Sequence, residues 1–168
     1  MLFTLLQRIR RNHALEHATI NLISQRHPQA QVVGFSGPLG FTLYTSLPAK
    51  AVVPVIPQAL TRIQQDEPQL RIHANCGTNI VVKAMMTTLA TLIGLGHAEK
   101  RTWRDHVERL PNMVMLNVLA LTLSDPIAFW MQANVTTAAD VSRMEIASIL
   151  SDTQGTYQRI RVHTRHPA

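Results

Sequence analysis

Apolar residues recur at helical spacing along the first part of the chain, where Leu15, Ala18 and Leu22 fall on one face of a helix. We expect this helix to end near His27-Pro28, because the residue before a proline is pushed out of the α region. An apolar run from Leu2 to Ile9 precedes the stripe. That run predicts either a short interfacial helix or the first turns of the same long helix.

Strand patterns follow this helix. Residues 31–36 and 41–46 are rich in Val, Phe, Thr and Tyr and flank the turn-forming residues 37–40, which predicts a β-hairpin. Residues 52–63 place apolar side chains at helical spacing and predict an amphipathic helix. Residues 70–75 alternate between apolar and polar side chains and predict a third strand.

Two apolar segments, residues 80–96 and about 110–131, are each long enough to cross a hydrocarbon layer of about 30 Å. Lys83 interrupts the first segment, and Asn117 and Asp125 interrupt the second. Polar groups within a membrane span usually face protein rather than lipid. The two segments therefore predict a transmembrane helical hairpin, and the alternative is a pair of long buried helices in a soluble protein.

These patterns together predict an α+β fold in three parts. Residues 1–78 are expected to form a small α/β layer of a helix, a β-hairpin, a second helix and a strand, and residues 79–132 the transmembrane hairpin. Residues 133–168 are expected to pack on the α/β layer. Within them, residues 138–150 predict an amphipathic helix and residues 156–164 a strand that rejoins the sheet.

Composition supports a membrane location. Only 15% of the residues are charged, against about 25% in typical soluble domains. The net charge of +6 favours an acidic partner. Since the basic residues are dispersed and only 5% of the chain is aromatic, we expect membrane lipid and other membrane-protein subunits as partners, and no nucleic acid.

The expected location is a bacterial cell membrane, with the N- and C-terminal parts in the cytoplasm. The apolar run from Leu2 to Leu6 is too short for a cleavable signal peptide, and arginines follow it rather than precede it. A leading domain of this size is also hard to export. The basic residues of the connection 97–109 favour the opposite orientation. They would place that connection in the cytoplasm, and the N- and C-terminal parts would then lie on the other side of the membrane.

The chemistry-bearing motif lies within the first helix. His13 and His17 are four residues apart, so both imidazoles lie on one helix face and can reach one metal ion. Glu16 projects from the edge of the same face, where a carboxylate can take a proton from a metal-bound water. This pattern predicts a zinc site, and the alternative is a pair of helix histidines that only form hydrogen bonds.

A third metal ligand has to come from another segment. Cys76 is the first candidate, because a thiolate binds zinc well and the single cysteine of the chain cannot form an internal disulfide. His73 is the second candidate. Asn75 and Asn79 are predicted to orient the ligands or to cap the following helix. The alternative for Cys76 is a small buried apolar residue at the start of that helix.

The motifs resemble two groups of known proteins. The spacing of His13, Glu16 and His17 is similar to the inverted His-x-x-Glu-His motif of metallopeptidases of the insulinase and pitrilysin type, which implies zinc and a catalytic glutamate. The stretches HALEHATI and CGTN, followed by two apolar segments, resemble an uncharacterised family of small bacterial membrane-associated proteins, loosely associated with phototrophic lineages. That resemblance implies a layout rather than an activity.

A more distant resemblance is to the peptidase domain of FtsH-type membrane proteases, which have a His-x-x-x-His-Ala helix followed by a hairpin. In that family the glutamate directly follows the first histidine, whereas this chain has Ala14 there and Glu16 later. Either Glu16 is the base in the inverted sense, or the base is missing and the protein binds metal without hydrolysing peptides.

Three functions remain open from the sequence. The first is a membrane-anchored, peptidase-like zinc hydrolase in which the strand residues Phe41, Thr42 and Leu43 present an edge to an extended substrate. The second is a non-catalytic protein that binds a metal or a tetrapyrrole beside the membrane. The third is a structural or assembly subunit of a larger membrane complex, for which a photosynthetic complex is one option.

Overall fold

The computed structural model describes residues 2–65, 67–96 and 103–167, except for the side chain of His106. The predicted connection 97–109 therefore lies partly outside the described residues. The chain divides into two compact units. We call Met1–His73 with Gln132–Ala168 the α/β unit, and Ala74–Met131 the helical unit.

A single long helix, α1 (Leu2–Arg26), carries the motif of the α/β unit. The apolar run at its start therefore forms the first turns of α1 rather than a separate helix. The helix ends where predicted, just before His27-Pro28. Leu15, Ala18 and Leu22 are completely or almost completely buried, which confirms the predicted core stripe.

An antiparallel sheet of four strands covers α1. It consists of β1 (Val32–Gly37), β2 (Gly40–Thr45), β3 (Glu145–Gln154) and β4 (Tyr157–Arg165), in the order β1-β2-β4-β3. The predicted hairpin and the return of the last strand to the N-terminal sheet are confirmed. Phe41, Leu43, Ile160 and Val162 from the two central strands belong to the buried core with α1.

The amphipathic helix predicted over residues 52–63 is divided in two. Pro54 separates α2 (Ala49–Val52) from α3 (Val55–Gln64) and lies directly before the first residue of α3. A proline fits at this boundary because it cannot donate a hydrogen bond to the preceding turn. Val55, Ile56 and Ala59 of α3 are buried in the same core.

The third strand predicted over residues 70–75 is wrong. Pro68–Arg71 forms a 3-10 helix and the chain continues as a loop. Side chains of α1 use the carbonyl oxygens of this segment: Asn21 Nδ2 donates to Leu70 O and Ile72 O, both at 2.8 Å. Because α1 holds this backbone, the segment packs beside the helix and does not join the sheet.

The helix predicted over residues 138–150 is also wrong, because most of β3 occupies its second half. Ile146 and Ile149 both pack against the core although they are three residues apart. A register shift between Ile146 and Ser148 explains this, since it pairs Ile146 with Thr164 and Ile149 with Val162, which lie on one face of β4. Because of this bulge, two core residues of a strand are three positions apart, a spacing that is typical of a helix.

The helical unit contains α4 (Gly77–Leu95) and α5 (Trp103–Met131). The two helices are antiparallel neighbours: Lys83 pairs with Asp125 at 2.8 Å and Asn117 Nδ2 donates to Thr91 Oγ1 at 3.1 Å. Both helices are long and apolar enough to cross a membrane. Only 11% of the first apolar window and 17% of the second are buried, so these helices expose most of their apolar surface.

Candidate metal centre

The α/β unit brings together the two histidines of α1. The ring centroids of His13 and His17 are 4.2 Å apart with an angle of 64° between the ring planes. One ring nitrogen of each lies within 4.8 Å of the other. His17 is only 1% exposed. Successive turns of one helix therefore place both imidazoles beside a common point, as the sequence predicted.

Backbone carbonyls from two other segments orient these rings. His13 Nδ1 lies 3.0 Å from Thr136 O, and His17 Nδ1 lies 2.6 Å from Arg71 O. A carbonyl oxygen has no hydrogen to donate, so both Nδ1 atoms carry a hydrogen and donate it. Nε2 is then the nitrogen of each ring that could bind a metal ion. Histidines that bind metals are commonly oriented in this way, through a carbonyl that accepts from the other nitrogen.

A third imidazole, that of His73, lies beside the pair. Its centroid is 5.8 Å from that of His17. Burial, with a smaller contribution from His17, lowers the pKa of His73 to about 4, so this ring is neutral at pH 7. The fully buried Gln132 holds its backbone, accepting from His73 N at 2.8 Å and donating to His73 O at 3.1 Å.

Glu16 occupies the side of α1 that faces the sheet. It is only 5% exposed and accepts a hydrogen bond from Ser36 Oγ of β1. A Cβ atom at Gly34, two residues earlier on the same strand, would overlap the Glu16 side chain, which would then have to shift. Burial raises the pKa of Glu16, while the Ser36 hydrogen bond and the charge of His13 oppose the rise.

The remaining predicted site residues belong to the helical unit. Cys76 precedes α4 as its N-cap, and its Sγ accepts from Thr78 N at 3.4 Å. Asn79 is buried and donates to Ala74 O at 2.6 Å. Asn75 lies in the exposed turn before Cys76. The capping role predicted for the asparagines therefore falls to Cys76, and the ligand-orienting role of Asn75 and Asn79 stays a prediction.

The substrate edge predicted on the second hairpin strand is wrong. β2, which contains Phe41, Thr42 and Leu43, lies between β1 and β4 and is paired with both. Its backbone has no free edge to align an extended peptide. Phe41 and Leu43 are also buried, at 3% and 0% exposure, and serve the core.

Several residues of this centre were missed in the sequence. Ser36 had a usable signal, because strand alternation puts it on the same face as Gly34, opposite the neighbouring Phe35. Thr136 and Gln132 lie in a π-helical turn, Gln132–Thr136, after the second apolar segment. Their contacts join residues more than 50 positions apart, and no local pattern reports such contacts.

The fold and the site define an α+β protein with a histidine pair on its first helix and two helices long and apolar enough to span a membrane. The chain belongs to the family described as a domain of unknown function, DUF6391, whose model matches residues 8–149. This agrees with the expected uncharacterised family and covers both the histidine motif and the two apolar helices.

One curated relative is an uncharacterised protein of Picosynechococcus sp., 30% identical over 118 residues. The alignment covers 56% of this chain and 58% of the relative, so the chain spans little more than half the length of that protein. No solved structure matches the chain.

Proposed function

We propose that this chain is a membrane-anchored metal-binding protein that holds zinc through His13, His17 and Cys76. One observation carries the proposal: two imidazoles on successive helical turns each donate Nδ1–H to a carbonyl from a different segment. Nε2 is thereby the ring atom of each histidine that would bind the ion, in an orientation that the fold maintains. Two imidazoles on one helix face supply half of a zinc coordination sphere.

The ring geometry favours a single ion over a tetrapyrrole bound between the histidines. Two axial imidazoles must lie on opposite faces of the macrocycle, with the macrocycle between them. The 4.2 Å between the centroids of His13 and His17 leaves no room for it. Zinc, with nitrogen ligands at about 2.0–2.1 Å, requires only that two lone pairs converge.

Cys76 completes the ligand set through its short connection to the α/β unit. It follows His73 by three residues, so the two Cα atoms lie within about 11 Å of each other whatever the arrangement of the units. Thiolate sulfur is a strong zinc ligand. His73 is the alternative third ligand, and its neutral imidazole is suited to the role.

Membrane anchoring is proposed for α4 and α5. Their length, apolar composition and exposed surface suit a hydrocarbon layer. Their main polar groups are paired within the unit: Lys83 with Asp125, and Thr91 with Asn117. Such pairing reduces the cost of placing charged and amide groups at membrane depth. The metal centre would then lie in the part of the chain that precedes and follows the spans.

Metal analysis of the full chain in detergent tests this function. Elemental mass spectrometry is expected to find about one zinc per chain. Replacement by cobalt is expected to produce a near-ultraviolet thiolate-to-cobalt band, which Cys76→Ser abolishes together with more than about 90% of the affinity. His73→Ala is the matched comparison and is expected to keep the band. A band-free cobalt spectrum in the wild type, with metal lost only in His73→Ala, would make His73 the third ligand instead.

A second candidate function, hydrolysis at the same centre, is favoured by Glu16. Its carboxylate is one turn from His13, next to His17 in the chain, and held by Ser36. A carboxylate beside a zinc-bound water can act as its general base, which contributes roughly 10²–10⁴-fold to a rate. The interior position of β2 removes the strand edge expected for peptides, so the class of substrate is left open.

Glu16→Gln separates hydrolysis from binding. Glutamine keeps an oxygen that accepts from Ser36 Oγ, so fold and metal content are expected to be unchanged. Hydrolysis of a fluorogenic peptide library by the zinc-loaded protein is expected to fall at least about 100-fold. Ser36→Ala is the control, because it removes the hydrogen bond and keeps the carboxylate. Equal rates in wild type and Glu16→Gln would reject Glu16 as the base.

A further inference from the structure

Polar side chains follow one side of the seam between α4 and α5, which we call the polar flank. Lys83, Thr87 and Thr91 are spaced four residues apart on α4, so they lie on successive turns of one side of that helix. Asn117 and Asp125, eight residues apart, occupy the matching side of α5. Two contacts across the seam place both sets on the same flank: Lys83 pairs with Asp125, and Asn117 Nδ2 donates to Thr91 Oγ1.

The polar flank runs through the middle of the proposed span. At a rise of about 1.5 Å per residue, Lys83 lies about 9 Å and Thr91 about 21 Å from the first residue of α4, in a helix of about 28 Å. The opposite flank of α4 is apolar at the same depths: Met85, Leu89 and Ile93 are 68%, 55% and 62% exposed. The two sides of the helical unit therefore differ in what they can bind.

The ion pair of the polar flank is only half covered. The side chains of Lys83 and Asp125 are 41% and 49% exposed. Their contact uses one of the three ammonium hydrogens and one of the two carboxylate oxygens. Hydrocarbon has no polar group to offer to such side chains, and charged residues within a span usually face protein or a water-filled cavity. Another helix with polar groups would lower the desolvation cost of this pair, whereas lipid would not.

We propose that the polar flank is a dimer interface, at which it packs against the polar flank of a second copy of this chain. Two copies inserted in the same orientation are related by a twofold axis along the membrane normal. Lys83 Nζ and Asp125 Oδ1 lie side by side, 2.8 Å apart, so the twofold rotation brings each ammonium opposite the carboxylate of the other copy. The flank is therefore complementary in charge to itself. This inference rests on the membrane anchoring of the proposed function and not on the metal centre.

Energy transfer between labelled copies in phosphatidylcholine vesicles tests this interface. Full chains with a donor or an acceptor fluorophore at the C-terminus are reconstituted over a range of protein-to-lipid ratios, which gives the association constant. The wild type is expected to dimerise. The double variant Lys83→Asp/Asp125→Lys keeps an ion pair within each chain and is expected to dimerise with itself. Mixed with the wild type, it brings like charges together, so this association is expected to be at least about 100-fold weaker.

Leu89→Ala, on the apolar flank of α4, is the matched control and is expected to associate as the wild type does. Equal energy transfer in mixed and unmixed samples would show that the copies meet at another surface and would reject the proposal. No energy transfer in the wild type would also reject it, because the chain would then be monomeric or its flank would be covered by a different protein.

Carbonate extraction of membranes separates this proposal from the proposed anchoring. A wild-type chain that resists extraction but shows no energy transfer refutes the dimer alone, whereas a chain that is extracted refutes the anchoring. The charge variants are expected to keep their zinc, and His17→Ala is expected to dimerise, because the polar flank and the metal centre use different residues.

Discussion

Replacing His17 with alanine is expected to lower the metal content from about one ion per chain to none detectable. His17 supplies one of the two helix ligands, and a remaining single imidazole with one thiolate does not hold zinc against dilution. The measurement is elemental mass spectrometry of the purified protein after dialysis. His13→Ala is expected to give the same result, because the two rings face one point.

Two control variants distinguish the loss of a metal ligand from unfolding of the protein. His17 is buried and donates to Arg71 O, so alanine leaves a cavity and an unsatisfied carbonyl that together destabilise by a few kcal/mol. His17→Gln retains a donor and fills the space. His27→Ala removes an exposed histidine just beyond α1 and is expected to keep its zinc. Full metal occupancy in both His13→Ala and His17→Gln would reject the centre.

Gly40→Ala is expected to disrupt the central pairing of the sheet. Gly40 starts β2 with φ of 148°, in a region that residues with a Cβ rarely adopt. A Cβ there would overlap the backbone carbonyl of Val162 on β4, and no rotamer change can relieve a backbone overlap. We expect a loss of at least about 3 kcal/mol, out of about 5–15 kcal/mol for a typical domain.

Thermal unfolding followed by circular dichroism measures this loss. Gly155→Ala is the matched control: Gly155 also has a positive φ, of 60°, but no atom lies within 4 Å of its added Cβ. That variant is expected to lose only about 1 kcal/mol, the cost of the backbone conformation alone. Equal melting temperatures for the two variants would show that the approach of Gly40 to Val162 is not a constraint.

Local patterns in the sequence were sufficient for much of the architecture. The stripe of Leu15, Ala18 and Leu22 predicted α1, the turn residues 37–40 predicted the hairpin, and the alternation of residues 156–164 predicted β4. The four-residue spacing of His13 and His17 predicted that the rings would meet. In each case the relevant partners lie within a few residues or one turn, where backbone geometry alone decides which side chains are neighbours.

Tertiary structure alone decided the remainder. β3 was obscured because its bulge gives Ile146 and Ile149 a helical spacing, and only pairing with β4 reveals the strand. Residues 70–75 alternate like a strand, yet Asn21 and His17 of α1 donate hydrogen bonds to the carbonyl oxygens that a sheet would have used.

The contacts that orient the site residues also join distant segments. Backbone carbonyls accept from His13 and His17, Ser36 donates to Glu16, and Gln132 binds the backbone of His73. The sequence by itself determined which groups the centre contains, because helix geometry is local. Their orientation depends on backbone groups that only the folded chain brings within hydrogen-bonding distance.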